Sequence, residues 1–110
     1  GTGFNSGEGG TGRRKSAGER RTEAENRNLV YRTLKEPRER VARLEEEMSG
    51  LQERRETLIA QMADPDVIGQ KQVYQQVLAD YAELESTLKK TERAWLEVAE
   101  ELDRLERELG

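Results

Sequence analysis

Residues 7–16 read Gly-Glu-Gly-Gly-Thr-Gly-Arg-Arg-Lys-Ser, a glycine-rich run closed by cations that has the outline of a phosphate-cradling loop. Such a loop needs Lys and then Ser or Thr directly after its second fixed glycine, so that the ammonium reaches the β- and γ-phosphates. Arg13 and Arg14 stand in those places and no strand precedes them, so the run reads as a linker. The carboxylates are abundant and no more specific. Glu45, Glu46, Glu47, Glu100 and Glu101 fall beside Arg and Lys at helical spacing, where solvated i,i+4 pairing is the ordinary role. Acid–base catalysis requires two carboxyls whose pKa values a cleft pushes apart. Asp64, Asp66 and Asp80 would hold a hard cation only weakly and read better as turn and surface residues. The chain has no Cys and no His, which removes thiol nucleophiles, disulfides and zinc sites built from those ligands. No catalytic residue, no metal ligand and no cofactor is expected.

Positive charge is the concentrated signal. Arg13, Arg14, Lys15, Arg20, Arg21, Arg27, Arg32, Lys35, Arg38 and Arg40 lie close together near the start of the chain. Arg and Lys clustered on an extended arm neutralise phosphates and release counterions, giving salt-sensitive binding that tolerates any sequence. A solubilising linker with interspersed Glu is the competing reading. Tyr31 stands among the arginines. Packing against the far end of a second helix is its expected role, with base stacking as the alternative.

These residues must be positioned by a chain of 110 residues that is 38% charged and 33% apolar. Leu, Ile, Val and Phe number 21, at the level where a compact core becomes doubtful, whereas Ala, Glu, Lys, Leu and Arg number 59, the composition of a long helix or coiled coil. The formal charge of −4 hides a split. Residues 1–40 carry ten Lys/Arg against six Asp/Glu, and residues 41–110 carry nine against seventeen. An interaction arm joined to an acidic module is the arrangement this implies. No apolar run approaches a membrane span and no signal-peptide core opens the chain, so a cytoplasmic protein away from the membrane is expected.

Seven of the ten glycines fall in residues 1–18, among Ser and Thr. That segment buries too little apolar surface to offset its ordering entropy, which predicts a flexible Gly/Arg-rich linker over 1–21. Thr22 followed by Glu25 is a capping-box pattern and predicts a helix start. Heptads then take over. Leu34, Val41, Met48, Arg55 and Met62 are spaced by seven, with Leu44, Leu51 and Leu58 between them. Tyr74, Tyr81, Leu88, Trp95, Leu102 and Leu109 form a second such series, with Val77, Leu84, Thr91, Val98 and Leu105 as its alternate. This is the seam of a left-handed coiled coil.

Between the two runs lies Asp64-Pro65-Asp66-Val67-Ile68-Gly69. Pro65 ends the first helix near Ala63, Asp66 is placed to cap the next turn and Gly69 to supply backbone freedom. The fold class is therefore all-α, an antiparallel two-helix coiled-coil hairpin over 22–110. Its helices are expected at about 22–63, with a kink or restart near Pro37, and about 70–109, joined by a turn at 64–69. Pro37 as a first-turn residue of a new helix fits equally well. Two registers are open. One sets Leu44 against Trp95 and Arg55 against Leu84, and the other sets Leu44 against Leu88 and Arg55 against Val77. The first leaves the tip loop more room. Arg55 and Thr91 are polar seam positions that fix register and orientation, and Arg55 can lay its stem on the seam while its guanidinium reaches water.

Residues 22–109 resemble the C-terminal coiled-coil domain of ABC-F family ATPases of the Uup type. The resemblance is carried by Asn26-Arg27 and Tyr31-Arg32 ahead of Leu34-Lys35-Glu36-Pro37, by Ala63-Asp64-Pro65 at the tip, by Tyr81-Ala82-Glu83-Leu84-Glu85, and by Trp95-Leu96-Glu97. Ile68 stands where the family usually has an aromatic, and Ala94 separates Arg93 from Trp95. The resemblance implies an accessory domain that binds nucleic acid, DNA in some members, within a ribosome-associated parent whose ATPase domains are elsewhere. On that footing the ten cations named above are the candidate binding residues, with the base of the hairpin beside them. Nucleic acid (DNA or ribosomal RNA) and the parent ATPase domains are the expected partners of a monomeric hairpin. A protein-interaction coiled coil is the alternative. A second resemblance, to the N-terminal hairpin of bacterial peptide-chain release factors, rests on Asp64-Pro65-Asp66-Val67-Ile68, Tyr74 and Asp80-Tyr81-Ala82-Glu83-Leu84.

Overall fold

The computed structural model describes residues 16–109. The expected linker residues 1–15, with Arg13, Arg14 and Lys15, lie outside the described residues. Three helices follow: α1 (Ala17–Met62), α2 (Pro65–Ile68) and α3 (Lys71–Leu109), with no strand among the described residues. The chain divides into two units, Gly1–Thr33 and Leu34–Gly110.

In the first unit the described residues are the opening turns of α1. The helix starts at Ala17, five residues ahead of the expected start at Thr22, because Ser16 forms the capping box instead. The Glu19 amide donates to Ser16 Oγ at 3.0 Å, and the Ser16 amide donates to Glu19 Oε1 at 3.0 Å. Two of the amides that a helix start leaves unpaired are thereby satisfied. Thr22 behaves as an interior residue, its hydroxyl donating to the Gly18 carbonyl at 3.0 Å. Residues 17–21, expected in the linker, are thus helical.

The second unit is the hairpin. Its buried residues are Leu34, Pro37 and Leu58 from α1 and Val77, Leu84, Leu88 and Val98 from α3. All but Pro37 belong to the heptad series, and Pro37 stands seven residues before Leu44, on the same stripe. No new helix starts there. α1 runs through Pro37, which has no amide to donate to the Thr33 carbonyl; the ring is buried in the seam instead. Leu58, Val77 and Leu84 form the tightest cluster, with Leu51, Met62, Val67 and Tyr81 packed around it. Polar contacts between the arms fix the register. Trp95 Nε1 donates to Glu45 at 3.2 Å, and Arg38 Nη2 donates to Glu106 at 3.0 Å. Arg55 meets Glu85 and Tyr81. These pairs belong to the register that sets Leu44 opposite Trp95.

At the tip, Asp64 rather than Asp66 is the cap. Its Oδ1 accepts from the Asp66 amide at 2.9 Å, and Pro65 takes the first helical position of α2, where its missing amide costs nothing. The expected turn is thus a single helical turn. Gly69 ends it at φ −72°, an ordinary right-handed conformation, so backbone freedom is not what it supplies. Space is: a Cβ there would sit 3.3 Å from the Pro65 carbonyl oxygen.

Gly50 is different. It lies inside α1 with open space where a Cβ would be. Gly50→Ala should therefore raise stability by roughly 0.5–1 kcal/mol, the ordinary difference between the two residues in a helix interior. A thermal melt that moved downward would mean that α1 needs its flexibility at Ser49-Gly50.

Candidate nucleic-acid interface

The candidate cations fall into groups that the structure treats differently. Arg20, Arg21, Arg27 and Arg32 are exposed on the opening turns of α1. Helical periodicity sorts them into two rows. Arg20 and Arg27 are seven residues apart on one face, about 10 Å along the axis, and Arg21 and Arg32 are eleven apart on another, about 16 Å. Among the described residues, Arg21, Arg27 and Arg32 take part in no ion pair. Tyr31 is 61% exposed and Leu29 54%.

Within the hairpin unit, Lys35, Arg38 and Arg40 are also exposed. Lys35 has no ion pair among the described residues, whereas the two arginines are engaged inside the fold. Arg38 donates from Nε and Nη2 to one oxygen of Glu106, at 3.2 and 3.0 Å. Arg40 lies 3.9 Å from Glu36, one turn back. Both pairs are half-exposed, so each contributes little to stability and can open for a competing anion.

Deeper in the seam, Arg55 keeps the exposure expected of it, its side chain 39% open to solvent, and also finds partners there. Nε donates to Glu85, Nη2 donates to the Tyr81 hydroxyl at 3.2 Å, and the guanidinium carbon lies 5.8 Å from the Tyr81 ring centre. The hydrogen bond to Glu85, followed by the attraction of its charge, raises the Arg55 pKa further. This cation is committed to the seam. A lone Arg at a seam position predicted a polar device, but its partners depended on which register the arms take. Thr91, the other polar seam residue, is satisfied within its own helix, donating to the Thr87 carbonyl at 2.9 Å.

Two of the acidic candidates have structural roles. Asp64 caps α2, and Asp80 accepts from Gln76 at 2.9 Å. Among the described residues no three acidic side chains gather as a cation site would require. No helix among them is long and apolar enough to cross a membrane.

A family model, the ABC transporter C-terminal domain, matches residues 32–100. That span covers well over half of the chain, including both arms, the Asp64-Pro65 tip, the Arg55 cluster and Trp95. The chain belongs to the ABC transporter C-terminal domain family. It is an accessory domain of an ABC protein, of a family that is not a catalytic one. The match agrees with the first resemblance as far as a C-terminal domain of an ABC protein, and it takes in the Pro37 segment and Trp95. No curated protein and no solved structure matches the chain. Of the candidate cations, Arg32, Lys35, Arg38 and Arg40 fall inside the matched span of this ABC transporter C-terminal domain, and Arg20, Arg21 and Arg27 precede it.

Proposed function

We propose that this ABC transporter C-terminal domain serves an ABC-F type ATPase in the cytoplasm and binds nucleic acid without sequence preference. The binding residues are Arg13, Arg14, Lys15, Arg20, Arg21, Arg27, Arg32, Lys35, Arg38 and Arg40. The assignment to ABC-F is supported by the Asn26-Arg27, Tyr31-Arg32, Asp64-Pro65 and Trp95 resemblance. ATP hydrolysis then belongs to the parent ATPase domains, and association with the ribosome makes structured RNA a target alongside DNA. One observation carries the nucleic-acid reading. Arg21, Arg27 and Arg32 are exposed on the opening turns of α1 and, among the described residues, have no carboxylate partner; Arg43, Arg54 and Arg93 are also unpaired, but only the first three stand together with Arg20, Lys35, Arg38 and Arg40 in the cation-rich stretch of the chain. Unpaired arginines on two faces of one helix give phosphates more than one line of approach.

The test is a fluorescence-anisotropy titration of labelled duplex DNA and structured RNA over a range of salt concentrations. Log affinity should fall linearly with log salt. In the variant carrying Arg21→Gln, Arg27→Gln and Arg32→Gln, the magnitude of that slope should drop by about one for each cation removed. A slope unchanged by the triple substitution would move the site off these residues. Absence of binding even at low salt would favour a protein-contact coiled coil. That second reading has its own observation: Ile59, Leu78 and Leu96 are 40, 40 and 50% exposed on the hairpin, apolar side chains outside the seam.

A further inference from the structure

Among the described residues, Tyr31 is the aromatic side chain that the packing leaves exposed. Its ring is 61% exposed, whereas Tyr74, Tyr81 and Trp95 are all partly buried in the hairpin seam. An exposed aromatic ring on a helix otherwise rich in charge gives up burial that a Lys or Glu at that place would not need. Its surroundings indicate what it is exposed for. Long side chains on a helix lean toward the N-terminus and cover the turn before their own Cα. The surface neighbours of Tyr31 in that direction are Arg27, four residues back, and Asn28, three residues back. Arg27 has no ion pair among the described residues, and Asn28 is exposed with no hydrogen bond from its side chain. A ring face, a guanidinium and a free amide therefore lie on one face of two turns of helix.

Each group matches one part of a nucleotide. The ring offers a stacking surface, the guanidinium a phosphate partner, and the amide a donor and an acceptor for the edge of a base. A protein partner would call for a contiguous apolar patch. The other exposed apolar residue nearby, Leu29, is two positions away and therefore on a different face of the helix from Tyr31. A fully paired duplex buries its base faces and has nothing for the ring to stack on.

We infer that Tyr31 is a stacking platform for an unpaired base, flanked by Arg27 and Asn28, so that the arm takes single-stranded nucleic acid in preference to duplex. The inference rests on the nucleic-acid reading above and adds to it the strand state of the ligand. Stacking on an aromatic side chain is tolerant of base identity, in keeping with sequence-independent binding.

The test compares the whole 110-residue chain with its Tyr31→Ala and Tyr31→Trp variants. Three labelled probes of equal length are titrated by anisotropy: oligothymidine, an abasic strand with the same phosphates, and a duplex. Circular dichroism checks that the helices are retained. Tyr31→Ala should weaken oligothymidine binding about tenfold, the usual scale for losing one stacked base, with little change on the other two probes. Tyr31→Trp should bind oligothymidine at least as well as the parent chain. Equal losses on all three probes, or none on any, would overturn the stacking role and leave the charged arm standing. Duplex bound as tightly as oligothymidine, with Tyr31→Ala neutral, would name duplex as the ligand and overturn the strand preference. A parent chain that binds none of the probes at low salt would overturn the nucleic-acid reading itself, and the platform with it.

Discussion

Leu58→Ala lowers the stability of the hairpin by about 3 kcal/mol, within the roughly 2–5 kcal/mol that such truncations cost in protein cores. Leu58 is 2% exposed, the most deeply buried large side chain among the described residues, and it meets Val77 and Leu84 across the seam. Two helices surround a seam residue less completely than a globular core does. Water and neighbouring side chains can therefore fill part of the cavity, which holds the cost below the top of the range. Even so, about 3 kcal/mol is a large share of the 5–15 kcal/mol by which folded domains are stable. Ile59→Ala, one residue along but 40% exposed, is the control and should cost well under half as much. Urea denaturation followed by circular dichroism measures both. If the two substitutions cost the same, the cluster near the tip is not where the arms are held together.

The hairpin was legible because both of its determinants are local. Apolar spacing of seven marks the seam at Leu44, Leu51 and Leu58 and again at Val77, Leu84 and Val98, and Pro65 marks where the chain must reverse. Of these, Leu58, Val77, Leu84 and Val98 are buried, and Leu44 and Leu51 partly so. Differences arise where a residue's role depends on competition between neighbours. Ser16 and Thr22 both open a capping-box pattern in the sequence, with Glu19 and Glu25 respectively, and only Ser16 forms the box. The upstream one captures the helix, because once a turn has formed each added residue costs little. Asp64 and Asp66 compete in the same way at the tip, and Asp64 takes the cap because Pro65 already fixes the first turn of α2. Arg55 is a third case: its spacing showed a cation in the seam, but Glu85 and Tyr81 become its partners only once the register is set.

The candidate interface was less legible for a similar reason. Charge clustering identifies cations but not which of them are already spoken for. Arg38 and Arg32 look alike in sequence. The fold gives Arg38 a carboxylate from the opposite arm, Glu106, which lies 68 residues away along the chain, and leaves Arg32 without one among the described residues. Tyr31 could not be resolved either, since aromatics at helical spacing are more often seam than surface. Its exposure is what turns it from a packing residue into a candidate contact.

Trp95→Ala should cost about 2–3 kcal/mol, second only to Leu58→Ala. Trp95 occupies a seam position, partly buried, and its indole N–H donates to Glu45 on the opposite arm at 3.2 Å. Two contributions are lost with the side chain. Truncating a fully buried Trp costs about 3–5 kcal/mol, and partial exposure reduces that. The hydrogen bond adds about 1 kcal/mol at most, because the carboxylate is exposed and takes water in its place. Packing therefore outweighs hydrogen bonding, and Trp95→Phe, which keeps a ring in the seam, should cost under about 1 kcal/mol. Glu45→Ala leaves the ring in place and should cost less still. Paired urea titrations of the three variants decide the order. A Phe variant as damaged as the Ala variant would show that the indole N–H, rather than the ring, holds the arms in register at this position. Because this is the chain's single Trp, its fluorescence also reports the seam about 20 Å along the hairpin from Leu58. If the arms open as one unit, the fluorescence and circular dichroism transitions of the parent chain coincide. An earlier fluorescence transition would place the weak end of the seam on the Trp95 side, away from the tip cluster.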